Sequence, residues 1–370
     1  MSESASLPSF SSRSRGRSLT GRSQIRQRPP GVVSFFKGPF SSHGPDEKRA
    51  APIESRKPGG DSCTSPQSWF RIRPSKETPT MPSLPNNFGL LEPEESDYAT
   101  SRVAVLPVPF ERTTSYGKGT TGGPAGILRA SQSMELWDEE LQSEPYRLGI
   151  ATLPAFLPEA FDMAEALAEL REECRTHLAN GKFLVTLGGE HSLTQAPVLA
   201  TREVHGEIGV VQFDAHSDLR EEFEGTPYSH ASVMKRIVDA GIPTLAVGIR
   251  SLSSPEAQLI RDRNLPVIWG HQLDRAAELF PALLAGLPEK IYLTFDIDFF
   301  DPALVPATGT PEPGGGHWYP ALALLRHLFR TKRVVAMDLV ELAPLGGQPA
   351  SDFLAAKLIY KCLGYLQERG

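Results

Sequence analysis

Eight short apolar runs, separated by amphipathic stretches, set the rhythm of the chain from Ser101 onward. They fall at 102–108, 149–153, 182–187, 208–213, 244–249, 266–269, 290–295 and 333–340. Most are continuously apolar rather than alternating, the pattern of strands covered on both faces. Between them, apolar residues recur at helical spacing over 125–141, 159–180, 192–203, 230–240, 254–263, 272–285, 318–330 and 351–367. Gly181 sits where a helix stop belongs. Strand and helix in alternation predict an α/β domain: three layers, α/β/α, around a central, mainly parallel eight-stranded sheet.

The pattern is absent upstream. Residues 1–85 are rich in Ser, Pro, Arg and Gly and have few apolar clusters, so they read as a disordered basic extension to a catalytic body at 86–370. Of the chain's 38 Lys and Arg and 44 Asp and Glu, residues 1–80 hold 14 and 6, a net +8. The other 24 basic and 38 acidic residues leave the body at −14, a balance that suits cationic substrates. The extension has three readings: a start placed upstream of Met81, an organellar transit peptide, or a nucleic-acid-binding tail. No aromatic platform interleaves with its charges, so no nucleic-acid partner is expected. Cys63, Cys174 and Cys362 lack paired or zinc-type spacing and read as free thiols of a reducing compartment. The cytoplasm is expected, or an organelle if residues 1–80 are a transit peptide. No apolar run is long enough to span a bilayer, so no membrane partner is expected.

The chemistry lies where apolar runs end. The run at 208–213 leads into Asp214-Ala215-His216-Ser217-Asp218, and the run at 290–295 into Asp296-Ile297-Asp298. The run ending at Leu187 leads into Gly188-Gly189-Glu190-His191-Ser192. A single D-x-H is commonly a solvated turn, but paired carboxylates at a buried strand end repel each other unless a cation sits between them. His191, Asp214, His216, Asp218, Asp296 and Asp298 together offer four carboxylates and two imidazoles, the charge balance of two divalent ions and a two-metal hydrolytic site. Oxygen-rich donors without cysteine suit Mn²⁺.

The segments GGEHS, FDAHSDLR, SHAS and TFDIDFFDPALVPATGTPEPGGG resemble the signatures of the ureohydrolase family of arginases and agmatinases, over residues 100–368 and in the same order. The resemblance implies the α/β/α architecture, two Mn²⁺ per subunit, and a homotrimer or homohexamer. It implies that His191, Asp214 and Asp218 hold one ion, with Asp298 or its neighbour bridging, and that Asp214, His216, Asp296 and Asp298 hold the other. It implies that His230 shuttles a proton to the leaving amine and that Glu341, in Met337-Asp338-Leu339-Val340-Glu341, takes the guanidinium. Glu190 reads as a supporting residue rather than a ligand, and Asp301 as a turn residue.

The expected reaction cleaves a guanidinium group to urea and an amine. In arginases, the loop between the metal motif and the proton-shuttling His holds the substrate's α-carboxylate. Here that loop carries Glu221, Glu222 and Glu224, which would repel a carboxylate and attract a second cation. The expectation is therefore a small cationic guanidine, agmatine, giving putrescine. Arginase, guanidinobutyrase, guanidinopropionase, guanidine hydrolase and formiminoglutamase activities are alternatives on the same metal motifs. A silent regulatory paralogue would be expected to have lost a ligand, His230 or Glu341, and all are present. A related deacetylase would bind one zinc with different ligands.

Overall fold

The computed structural model describes residues 86–370, and the extension read at 1–85 lies outside the described residues. Eight strands form where the apolar runs fall: β1 (Val103–Val108), β2 (Ile150–Thr152), β3 (Phe183–Gly188), β4 (Gly209–Phe213), β5 (Thr244–Ile249), β6 (Val267–Trp269), β7 (Lys290–Asp296) and β8 (Arg333–Val340). The helices are α1 (Pro93–Ser96), α2 (Gly123–Ser131), α3 (Met163–Ala179), α4 (Gln195–His205), α5 (Val233–Asp239), α6 (Ser254–Arg263), α7 (Ala276–Ala285), α8 (Trp318–Thr331) and α9 (Ala350–Arg369). All eight strands join one sheet in the order β2-β1-β3-β8-β7-β4-β5-β6, and every pairing is parallel. Parallel strands need crossover segments, and the helices supply them.

Two apolar clusters pack against the sheet, as strands covered on both faces require. In one of them Phe213 and Phe295, register partners on β4 and β7, stack with ring centroids 5.2 Å apart. Phe299 meets Phe213 edge-on at 5.2 Å and Phe295 at 5.5 Å. Each ring is fully buried, worth about 1.5–3 kcal/mol apiece. Phe213 and Phe295 immediately precede Asp214 and Asp296 in the chain and Phe299 immediately follows Asp298, so this aromatic floor holds both strand ends in place.

Several helices differ from the periodicity. The helix expected over 125–141 stops at Ser131. The segment beyond it turns so that fully buried Asp138 can reach fully buried Lys361 on α9 (3.0 Å) and accept from the backbone of Glu140 and Leu141. A buried charge must be paired, and this requirement overrides helical spacing. The helices expected from 192 and from 230 each begin with a turn of 3₁₀ helix, His191–Thr194 and His230–Ser232. Helix α3 starts at Met163 because Asp162 caps Ala164 and Glu165, and it ends before Gly181, which has φ +77°. No helix of the described residues is long and apolar enough to cross a membrane.

Gly189 ties the sheet to the strand-end loops. Its N–H donates to Val108 O (3.0 Å), and its carbonyl accepts from Glu341 N (2.8 Å). A Cβ at this position would lie 2.0 Å from the Phe110 carbonyl oxygen, so only glycine lets these backbones meet. Gly189→Ala is expected to cost roughly 1–3 kcal/mol or more, read as a lower denaturation midpoint than that of Gly346→Ala, where nothing lies within 4 Å and φ is not positive. Equal midpoints would contradict this close approach.

Candidate active site

The four central strands, β3, β8, β7 and β4, are neighbours, and each delivers acidic or imidazole groups just past its carboxyl end. His191 follows β3, Glu341 follows β8, Asp296 ends β7 with Asp298 two residues on, and Asp214 follows β4. Open parallel sheets place their sites at this edge. All six predicted ligands come together. His191 Nδ1 lies 3.1 Å from Asp214 Oδ2, 3.0 Å from Asp218 Oδ2 and 3.4 Å from Asp296 Oδ2. His216 Nδ1 lies 2.9 Å from Asp298 Oδ2 and 3.7 Å from Asp214 Oδ1. Two donor groups result, His191–Asp214–Asp218 and Asp214–His216–Asp298. Asp214 thus turns one oxygen toward each histidine, whereas Asp296 stands on the His191 side. The backbone is shaped to this end: Asp218 and Glu341, neither a glycine, have φ +52° and +64°. Such values concentrate at functional sites.

The donor atoms are those a cation requires. Two backbone N–H groups fix the carboxylates, Ala215 N on Asp298 Oδ1 (3.0 Å) and His216 N on Asp214 Oδ1 (2.6 Å). Thr294 Oγ1, on β7, donates to Asp338 Oδ1 (2.7 Å) and therefore accepts from His191 Nε2 (2.9 Å). Asp338, on β8, is fully buried and accepts from Thr194 and Tyr292 as well. The Nε2 proton so fixed leaves Nδ1 directed at three carboxylates, and this buried atom has no hydrogen-bond partner; neither does Asp298 Oδ2. Oxygen atoms converging on a nitrogen in this way need a cation or a proton between them, so the residues fit divalent metal ions.

The electrostatics agree. Burial opposes protonation of His191, but Asp214, Asp218 and Asp296 together raise it well above its ordinary value. Against burial, Asp298 and Asp214 push His216 up to about 12. Burial and the Asp214 charge push Asp218 up to about 7. Protons thus occupy this cluster at neutral pH unless a divalent cation displaces them.

A cavity of about 490 Å³ opens onto these groups, lined among others by His230, Glu341, Tyr116, Arg220, Phe223 and Glu312. Glu341 Oε1 accepts from His191 N (2.6 Å), and burial lifts its carboxyl well above the usual range. His230 Nδ1 lies 3.2 Å from Thr113 Oγ1, which also accepts from His230 N (3.0 Å) and donates to Glu190 Oε1 (2.9 Å). Fully buried Glu190 also takes Arg112 N and Thr113 N, so it holds a loop rather than facing the metal donors. Asp301 accepts from Ala303, Gly314 and Gly315 and acts as a turn residue.

The loop glutamates require a correction. Glu221, Glu222 and Glu224 are exposed and do not line the cavity. Glu221 instead pairs with Lys235 (2.8 Å) and Arg236 (3.0 Å). A tight turn, with Phe223 N on Thr226 O (3.0 Å) and φ +51° at Glu224, turns Phe223 inward to meet the His230 ring edge-on at 5.6 Å. The glutamates face solvent because the aromatic ring has the apolar surface to bury. Thr113, Thr294, Asp338 and Glu312 were not singled out as site residues from the sequence. Asp338 and Thr294 did carry a signal, as polar residues in the middle of apolar strands and, in the sheet, register partners.

Two outcomes follow. Adding a divalent ion to chelator-stripped protein at pH 7 is expected to release about one proton or more per ion, measured by calorimetry in buffers of different ionisation enthalpy; heats independent of buffer would contradict it. Thr294→Val, which removes the acceptor for His191 Nε2, is expected to weaken metal binding roughly 10- to 100-fold, measured by competition with a chromophoric chelator.

With this geometry established, comparison with known proteins is specific. Residues 101–364 match the family model described as the arginase family. The chain is 42% identical to an N(1)-aminopropylagmatine ureohydrolase of Synechocystis sp., over 74% of this chain and 92% of that protein. It is 33% identical to an agmatinase of Pyrococcus horikoshii, over 70% of this chain and 90% of that protein. The crystal structure of the agmatine ureohydrolase of Thermoplasma volcanium superposes with a TM-score of 0.68 at 28% identity, over 74% and 92% of the two chains. The sheet, the paired metal-donor groups and these relatives together make this chain a member of the arginase family, an enzyme of the ureohydrolase type.

Proposed function

We propose that the enzyme hydrolyses a guanidine bearing an amine tail, releasing urea and a polyamine, with Mn²⁺ as its ion. Agmatine, giving putrescine, is the simplest such substrate. N(1)-aminopropylagmatine, for which the 42%-identical relative is named, is a second, because its tail is longer but of the same chemistry. The observation that carries the reading is the combination of two metal-donor groups with a buried carboxylate, Glu341, on the wall of one cavity.

Two divalent ions held by His191, Asp214, Asp218, His216, Asp296 and Asp298 would supply Lewis-acid charge and a water of lowered pKa. Glu341 receives the planar guanidinium, its Oε1 fixed by the His191 N–H and its second oxygen free to accept from the substrate. The positive charge of the guanidinium favours the ionised carboxylate against the burial that raises it. His230 supplies the proton to the departing amine nitrogen as the C–N bond breaks. Thr113 supports this role: its hydroxyl donates to Glu190, so it accepts from His230 Nδ1–H and leaves Nε2 for proton transfer. The donor set supports Mn²⁺, being oxygen-rich and free of thiolate. Assembly as a trimer or hexamer is part of the same reading.

Urea release by Mn²⁺-loaded protein, from agmatine and N(1)-aminopropylagmatine against arginine and 4-guanidinobutyrate, tests it. The amine-tailed substrates are expected to dominate kcat/KM. His230→Ala is expected to lower kcat roughly 10²- to 10⁴-fold, and Glu341→Gln to lower kcat/KM by at least about tenfold. Preferential turnover of a carboxylate-bearing guanidine would overturn the substrate assignment while keeping the chemistry.

A further inference from the structure

Four carboxylates line the cavity: Asp218, Asp296, Glu341 and Glu312. Metal binding and guanidinium recognition account for the first three. Glu312 lies in the Thr310-Pro311-Glu312-Pro313 loop, half-buried, and its carboxylate has no hydrogen bond or ion pair within 4 Å among the described residues. A carboxylate at a loop tip is ordinarily just hydrated. What sets Glu312 apart is how firmly its backbone is placed relative to the metal-donor groups.

That placement comes from Arg250, which follows β5. Its guanidinium donates to Glu312 O (2.9 Å) and Pro313 O (3.1 Å) on one side and to Asp298 O (2.7 Å) on the other. One planar cation therefore spans the Glu312 loop and a metal-donor residue, fixing the distance between them. Its N–H groups are given to carbonyl oxygens, with Gly248 O and Phe299 O taking the remainder, so it forms no ion pair with the Glu312 carboxylate.

The cationic residue on the same wall, Arg220, is differently placed. Its guanidinium lies 5.1 Å from the Phe223 ring centroid and 3.9 Å from Glu256, held against the wall. Among the described residues lining the cavity, Glu312 is thus the carboxylate with no partner within 4 Å, although Arg220 and Arg250 carry positive charge nearby. Phe223 and Tyr116 add apolar walls for a methylene chain and aromatic faces for a cation.

Resting on the ureohydrolase reading above, we propose that Glu312 is the specificity-determining residue of this site, accepting the ammonium of the substrate's tail while Glu341 holds its guanidinium. The substrate class that fits is a linear guanidine with a cationic amine at the other end of an alkyl chain. A chain ending in a carboxylate would face Glu312 and be repelled.

The experiment compares kcat/KM for agmatine with that for 4-guanidinobutyrate, identical in guanidine but opposite in tail charge, in wild type, Glu312→Gln and Glu312→Lys. Metal content and melting temperature are measured on the same preparations. The expected result is that the agmatine preference falls roughly tenfold or more in Glu312→Gln, mainly through a raised KM for agmatine, and falls further in Glu312→Lys. An unchanged ratio in both variants, with metals bound and urea still released, overturns the assignment of Glu312 and leaves the ureohydrolase reading intact. No urea from any guanidine in wild type would sink both.

Discussion

The structure is built around one electrostatic constraint: four aspartates and two histidines meet at the edge of a buried sheet, and their charges must be balanced there. Asp214, Asp218, Asp296 and Asp298 are all buried, and like charges so placed cannot all remain ionised without a cation. His191 and His216 lie beside them and are drawn toward the protonated state by the same field. The arrangement persists because the rest of the fold overdetermines it. The aromatic floor of Phe213, Phe295 and Phe299 fixes two of the strand ends, and the Thr294–Asp338 pair fixes the ring of His191.

Around that centre the supporting residues are organised by what they orient. Thr294 and Asp338 act on a metal donor; Thr113 and Glu190 act on His230; Arg250 acts on both Asp298 and the loop carrying Glu312. Each uses a hydroxyl or guanidinium whose other bonds are already committed, so the remaining donor or acceptor is determined. This is how a site can be held to a few tenths of an ångström by residues that never touch the substrate.

Much of this was legible along the chain. Continuous apolar runs marked all eight strands within one or two residues, because a strand buried on both faces is apolar at most positions and admits a polar residue such as Thr294 or Asp338 only where it is hydrogen-bonded. The candidate metal donors were legible because paired carboxylates just past such runs have few structural explanations, and the fold brings these donors together. Helix ends were less so: Asp138 with Lys361 broke the helix expected to continue to 141, and a buried ion pair between residues 223 apart has no local trace. The loop glutamates misled for a related reason. Their charge suggested a cationic subsite, but whether they face the cavity depends on a turn that buries Phe223 instead.

The sequence by itself determined the fold class, written in periodicity, and marked the candidate metal donors, written in residue types at short spacing; the family chemistry came from the resemblance of those segments to the ureohydrolases. Only the tertiary structure decided which oxygen of Asp214 faces which histidine, that Asp296 stands with His191, that Glu190 holds a loop, and that Glu312 is the unpaired carboxylate on the cavity wall. Those facts depend on contacts between segments remote in the chain, and pairing energies between such segments leave no pattern in either one alone.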